Sequence, residues 1–150
     1  MERLLMSPAG YWFLLHIAPP VDKVIIPRTN GRLSSLGIDK VGLLTTTGAK
    51  SGQLRAQPVG FFDDGDGLLL IGSNYGRPNH PAWSTNLLAN PECTVAFGGP
   101  PAPYKAELLT GEARASAWAT AVDMYAGFDR YRVKCAPREI RVFRLRPAAA

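Results

Sequence analysis

Cysteine and histidine are scarce in this chain, and the scarcity is informative. Two cysteines, Cys93 and Cys135, are too few for a disulfide framework. The two histidines, His16 and His80, stand far apart, and no Cys or His pair has zinc-ligand spacing. A structural zinc site is thereby excluded, and no metal is expected. Long apolar runs are also missing: none reaches the ~18 residues that a membrane span needs. There are no internal repeats, no low-complexity tract and no linker, so the 150 residues read as a single domain, 1–150. At 46% apolar and 19% charged residues the composition is that of a folding chain. The cysteine usage points to a cytoplasmic protein.

Acidic residues are in deficit. Seventeen Lys and Arg face twelve Asp and Glu, a net charge of +5. Such a balance suits an anionic partner: a nucleic acid, an anionic membrane or a phosphorylated cofactor. The basic residues are spread along the chain without interleaved aromatics, so nucleic-acid binding is not expected. They crowd only near the C-terminus, at Arg130, Arg132, Lys134, Arg138, Arg141, Arg144 and Arg146. That cluster reads as a solvated face, with a basic mouth for an anionic ligand as the alternative.

Apolar residues in the segment 2–17 recur at steps of three and four, which predicts a short helix ended by Pro19-Pro20. Packing on the domain is one reading of this helix. The other is an interfacial anchor with Tyr11 and Trp12 at headgroup level. Val21 to Pro27 is a second short apolar piece, and Thr29-Asn30-Gly31 a turn. Strands are predicted over 41–47, 54–62, 68–72, 93–97, 104–110 and 140–145. Pro58 marks the second of them as an edge strand or a bulge. Asp63 to Gly67 is a hairpin turn. Helices are predicted from His80-Pro81 to Asn90 and over 112–125. The fold class that follows is mainly β (α+β): a small barrel of antiparallel strands with flanking helices.

The most chemical segment is Thr45-Thr46-Thr47-Gly48-Ala49-Lys50-Ser51-Gly52. Its glycines permit positive φ, so successive amide N–H groups can converge on an anion, with Lys50 and Arg55 adding charge. Ala49 directly before Lys50, and a strand after it, exclude a Walker A loop. Taken alone, the turn is equally compatible with a plain hairpin carrying a solvated lysine. The wider order is more specific: Thr-Thr-Gly-x-Lys-Ser-Gly-x-x-Arg-x-x-Pro, Asp-Gly, Ser73-Asn74-x-Gly76, then His80-Pro81-x-Trp83-x-x-Asn86-Leu87-x-x-Asn90-Pro91. From Val41 to Val95 this resembles the deazaflavin-dependent nitroreductase family of actinobacteria. Met124-Tyr125 and Tyr131 match more loosely.

The resemblance implies a split β-barrel of about six antiparallel strands with coenzyme F420 as cofactor. The cofactor-binding residues it implies are Ala49, Lys50, Ser51, Gly52 and Arg55 for the phosphate and acidic tail. Pro58, Gly72, Ser73, Asn74, Ala82, Trp83 and Asn86 follow around the deazaflavin ring. It also implies an oxidoreductase that passes a hydride to an electron-poor small molecule: a quinone, an enone or a nitroaromatic. Tyr131, Tyr125 and Ser73 are the candidate catalytic proton donors. Phe128 and Gly60 stand where the nitroimidazole-active member of the family has aromatics, so the substrate side departs from that pattern. For Trp83 the plain alternative is a core aromatic. Two other readings stay open: a non-catalytic deazaflavin carrier, and a split barrel that holds FMN or haem. The protein is expected as a monomer or homodimer, with membrane-surface contact at the inner face of the plasma membrane through the N-terminal helix.

Overall fold

The computed structural model describes residues 41–148 and, nearer the N-terminus, Ala9, Trp12, His16, Ile17, Pro20, Val21, Val24, Ile25 and Arg28. The expected helix over 2–17 otherwise lies outside the described residues, as does the turn at Thr29-Asn30-Gly31. Ala9, Trp12 and His16 are helical, and so are Pro20, Val21, Val24, Ile25 and Arg28. Ile17 is a turn, and helical backbone is present again from Pro20, while residues 18 and 19 lie outside the described residues. Pro20 is itself helical, and the Val21 N–H donates to the Ile17 carbonyl at 3.3 Å.

The strands are β1 (Val41–Thr47), β2 (Leu54–Gly60), β3 (Phe62–Asp63), β4 (Leu68–Ile71), β5 (Glu92–Ala96), β6 (Ala102–Leu108) and β7 (Val142–Pro147). They form one seven-stranded antiparallel sheet in the order β2-β1-β5-β6-β7-β4-β3, curled into a half-barrel. A helix α1 (Ala82–Ala89) follows β4, and α2 (Gly111–Met124) and α3 (Gly127–Cys135) lie between β6 and β7. A 3-10 turn, Asn74–Gly76, bridges β4 and α1.

Alternation along the strands sorts the apolar residues into two cores. Leu44, Leu68, Leu70, Val95, Phe143 and Leu145 face inward and close on Trp83 and Leu87 of α1. Leu69, Ile71 and Val142 face the other way, onto Ala117 and Ala121 of α2 and Phe128, Tyr131 and Cys135 of α3. Strand β4 is thus buried on both faces, which explains its unbroken Leu-Leu-Leu-Ile run. Each such side chain contributes about 1.5–3 kcal/mol when fully buried. The close packing has a backbone consequence at Gly42: a Cβ there would lie 2.6 Å from the Ala96 carbonyl oxygen and 2.9 Å from the Phe61 ring.

Pro58 lies in β2, which is an edge strand as expected. The predicted strand 54–62 is in fact two. The chain leaves β1 at Gly60, buries Phe61 completely, and pairs Phe62 with Leu69 of β4. The following hairpin is closed by Asp63 and Asp64, whose Oδ1 atoms accept from the Gly65 and Asp66 amides.

The C-terminal arginines do not form one solvated face. Arg144 meets Asp64 at 2.6 Å, with both side chains largely buried (14% and 8% exposed), and ties β7 to the β3–β4 turn. Arg138 and Arg141 are half-buried and hydrogen-bonded, whereas Arg130, Arg132 and Arg146 are exposed. The sequence pattern missed this because each buried guanidinium meets partners some 56–80 residues away.

Removing one partner of a buried pair leaves the other charge uncompensated. Asp64→Ala is expected to lower stability by about 3–5 kcal/mol. Urea unfolding measures it, and Asp64→Ala combined with Arg144→Met should recover part of the loss. A cost below about 1 kcal/mol would mean that the pair is hydrated in solution.

Candidate active site

The basic turn Gly48–Gly52 caps the β1–β2 hairpin. Its ends are fixed by Gly48 N–H to the Gln53 carbonyl (2.8 Å) and Gly52 N–H to the Gly48 carbonyl (2.9 Å). Gly52 has φ +69, a value that favours glycine. The Ser51 hydroxyl accepts from the Gln53 N–H at 3.2 Å, a local turn of the kind serine supplies. Asn86 reaches the turn from α1. Its Oδ1 accepts from the Ala49 N–H at 2.9 Å, and its Nδ2 donates to the buried Thr46 hydroxyl at 3.0 Å. Both polar ends of Asn86 are therefore engaged with protein, so it holds the turn in place against α1.

The amides of Lys50 and Ser51 make no hydrogen bond among the described residues. Both residues are exposed, and neither Lys50 nor Arg55 has a carboxylate partner among the described residues. Arg55 donates to the Gln53 side chain at 3.1 Å. Two open N–H groups beside two uncompensated cations make a donor set that suits a phosphate or a run of carboxylates.

A second group of predicted residues lies at the end of β4. Gly72 and Ser73 are buried, and their carbonyls accept from Arg138 at 3.1 and 2.8 Å. The same guanidinium donates to the Arg77 carbonyl at 2.9 Å and lies 3.4 Å from the His80 Nδ1. Asn74 donates from Nδ2 to the Asn79 carbonyl at 2.8 Å. Asn74 and Tyr75 have φ of 48 and 55, unusual for residues with a side chain.

The predicted tyrosines form a third group at the α2–α3 corner. The Tyr125 and Tyr131 hydroxyls are 3.2 Å apart. Tyr131 is buried in α3, and Tyr125 caps the end of α2. Phe128 packs beside both, edge-on to Tyr125 at 5.1 Å and to Tyr131 at 6.5 Å. Gly127 allows this corner, because a Cβ there would collide with the Tyr125 ring. Tyr75 joins the two groups, edge-on to Tyr131 at 6.2 Å and 87°.

Of the other predicted residues, Pro58 lies in β2 opposite Leu43, and Ala82 opens α1. Trp83 is 6% exposed and packs on Phe143, so its ring is part of the inner core. No side chain caps α1: Pro81 occupies the N-cap, and the Ser84 hydroxyl donates back to its carbonyl at 2.9 Å.

The profile of the family described as F420H(2)-dependent quinone reductase matches residues 23–147. The chain belongs to this family. A protein of Mycobacterium tuberculosis (strain ATCC 25618 / H37Rv), Rv3178, whose name assigns it provisionally to the same reductases, is 31% identical over 105 residues. That match covers 70% of this chain and 87% of the relative. A solved structure described as an F420-H2 dependent reductase, FDR-A, shares 36% identity with a TM-score of 0.64, over 71% of this chain and 94% of that one. Another, described as a domain-swapped dimer, shares 33% identity with a TM-score of 0.66, over 79% and 92%. The fold seen here is the split barrel expected from the resemblance, and F420 is the cofactor of the family.

For a member of this family, the donor set at Lys50 and Ser51 fits a cofactor with an anionic tail. What sequence reasoning missed is Arg138 and Tyr75. Arg138 sits among arginines that look alike in sequence. Tyr75 stands in a polar loop, and only its backbone conformation marks it.

His80 faces Arg138 and Arg141, and no carboxylate pairs with it among the described residues. Burial, then the charges of Arg141 and Arg138, hold its pKa below the usual 6.5. The unfolded chain takes up a proton near pH 6.5 that the folded chain resists. The contribution of His80 to stability is therefore complete above that pH and is lost as pH falls through the lowered folded value. His80→Gln keeps an acceptor for Arg138 without titrating. In urea unfolding, its stability should fall less than that of the wild type between pH 7.5 and pH 5. Parallel losses would mean that the imidazolium is accommodated in the fold.

Proposed function

We propose that this protein oxidises reduced coenzyme F420 and delivers a hydride to a quinone. The observation that carries this reading is the pair of amides at Lys50 and Ser51 that are open among the described residues, flanked by Lys50 and Arg55, which have no carboxylate partner among those residues. A deazaflavin supplies the hydride when bound, and the protein supplies placement and charge. In this reading Lys50, Ser51 and Arg55 bind the phosphate and acidic tail, while Ala49 and Gly52, whose amides are engaged within the protein, shape the turn around it. Pro58, Gly72, Ser73, Asn74 and Ala82 border the ring. Trp83 and Asn86 act from behind, one by core packing and one by holding the turn.

The acceptor takes up one hydride and one proton to become a hydroquinone. The proton comes from the phenol pair Tyr125 and Tyr131, with Ser73 as the third candidate. A phenol that gives up its proton keeps a hydrogen bond from its neighbour 3.2 Å away, which steadies the phenolate until water reprotonates it. The acceptor must approach the hydride-bearing carbon to about 3–3.5 Å, and fixed backbone around Gly72 and Ser73 is suited to that task.

The assay is oxidation of F420H2 by menadione, followed at the deazaflavin absorbance band. Turnover that depends on both compounds is expected. Lys50→Ala should weaken F420H2 binding about tenfold or more, because charge-assisted hydrogen bonds contribute about 1.5–3 kcal/mol. Binding without menadione-dependent oxidation would favour the carrier reading, and no binding would return FMN to consideration.

We further infer that the N-terminal segment brings the site to a membrane that holds lipid quinone. Trp12, Ile17, Val21 and Val24 are helical-segment apolar residues that are 37–56% exposed. No helix among the described residues is long and apolar enough to cross a membrane. Trp12→Asp with Val24→Asp should abolish co-sedimentation with anionic vesicles while menadione reduction persists. Unchanged co-sedimentation would sink the membrane reading and leave the enzyme reading intact.

A further inference from the structure

The loop after β4 is wound the wrong way for its sequence. Asn74, Tyr75 and Gly76 have φ of 48, 55 and 74, so three consecutive residues occupy the left-handed region. Glycine takes this region freely and asparagine tolerates it, but a bulky residue is an outlier there. Tyr75 keeps the conformation because the loop is fastened on every side. Gly76 N–H donates to the Ser73 carbonyl at 2.9 Å and Arg77 N–H to the Asn74 carbonyl at 3.0 Å. The Asn74 side chain holds the Asn79 carbonyl, and Arg138 holds those of Gly72, Ser73 and Arg77. Gly76 lies under Lys134 of α3 so closely that a Cβ would sit 2.9 Å from that side chain.

Strain maintained this way concentrates at ligand clamps and active sites. Its effect here is to set the Tyr75 ring, half-buried, edge-on to Tyr131 and at the rim of the core that contains Tyr125 and Phe128. The same loop begins with Ser73 and Asn74, the residues read as bordering the cofactor ring. Tyr75 is thus the side chain that stands between the cofactor loop and the phenol pair.

We propose that Tyr75 is a specificity-determining residue that offers its ring to a planar naphthoquinone-type acceptor, whose fused benzene ring is aromatic. The inference rests on the quinone-reductase reading and adds the residue that selects the acceptor. Recognition is by the aromatic ring, through offset or edge contacts with the quinone ring, and does not require the hydroxyl. A small alicyclic enone has no aromatic ring to meet it and gains nothing from it.

The test compares wild type, Tyr75→Gly and Tyr75→Phe. Glycine suits the left-handed backbone, which offsets part of the packing lost with the ring, so that variant is expected to fold, and its Tm is measured alongside. Tyr75→Gly should raise the KM for menadione three- to tenfold, while the KM for F420H2 and the KM for cyclohexenone stay within twofold. Tyr75→Phe should match the wild type for all three. Menadione quenching of intrinsic fluorescence in the cofactor-free protein gives a second readout, and Tyr75→Gly should weaken it by a similar factor. A menadione KM unchanged in Tyr75→Gly, or one that rises in step with that of cyclohexenone, overturns the proposal. If the wild type oxidises no F420H2, the reductase reading fails on its own, and the quenching titration still decides the role of Tyr75: equal affinities refute it and a weaker variant supports it.

Discussion

Arg138 has no carboxylate partner among the described residues, and its donors go to backbone instead. The carbonyls of Gly72, Ser73 and Arg77 accept from it, with His80 beside it. A guanidinium suits this role because its donors lie in one rigid plane and it never loses its charge. A lysine in its place offers a single flexible point of charge. The three carbonyls it gathers belong to the stretch between β4 and α1, where the chain must leave a sheet, turn left-handed and enter a helix within ten residues. That connection decides where α1 enters the barrel and how Tyr75 is presented, so both inner core and aromatic corner depend on one side chain from the loop before β7.

Asn86 performs the matching task at the other end of α1. Its amide joins the buried Thr46 hydroxyl of β1 to the Ala49 N–H of the basic turn. A buried amide with both ends satisfied is directional, unlike the apolar packing of Trp83 and Leu87 around it. Hydrophobic burial keeps α1 in the half-barrel, and the two polar ties set its angle and register. The site residues read from sequence thus fall into two kinds. Lys50, Ser51 and Arg55 present open donors. Asn86 and Trp83 keep those donors in place without needing to touch a ligand.

Local chemistry was legible in the sequence wherever it is decided locally. Strand β1 was read at its observed bounds, since Val-Gly-Leu-Leu-Thr-Thr-Thr is β-branched and ends in a glycine turn. The edge position of β2 followed from Pro58, and α2 from its alanine content. Helix α3 was not foreseen. Its signals are modest: Gly127 at the start, Asp129 in the first turn, Arg132 and Lys134 in the last. The break at Phe61 was also invisible, because it comes from the chain changing partners, from β1 along β2 to β4 along β3, a tertiary choice. The arginines were the largest gap. Arg138, Arg141 and Arg144 look like Arg130, Arg132 and Arg146 in sequence, and only distant partners separate them. As for the site, the Lys50 turn was conspicuous by its glycines, while Tyr75 was not, since nothing in Ser-Asn-Tyr-Gly foretells a left-handed tyrosine.

Arg138, Arg141 and His80 crowd one region without a facing carboxylate among the described residues, and Tyr75 holds a backbone angle that costs about 1–3 kcal/mol. A sequence under selection for stability alone would have an acid in the first place and a glycine in the second. Arg141 shows how the fold limits the first cost: it donates to the Ser84 and Thr85 hydroxyls, neutral acceptors that satisfy its N–H groups and leave its charge standing. His80 limits it further, because burial and then Arg141 and Arg138 hold its pKa below the ordinary value. The second cost is met by the ring of hydrogen bonds around the loop, which makes the right-handed alternative worse than the left-handed state. Both departures adjoin the same short connection between β4 and α1, and both are offset there by hydrogen bonds within the protein. The positive field and the strain thus lie together in the connection that also presents Tyr75 edge-on to Tyr131.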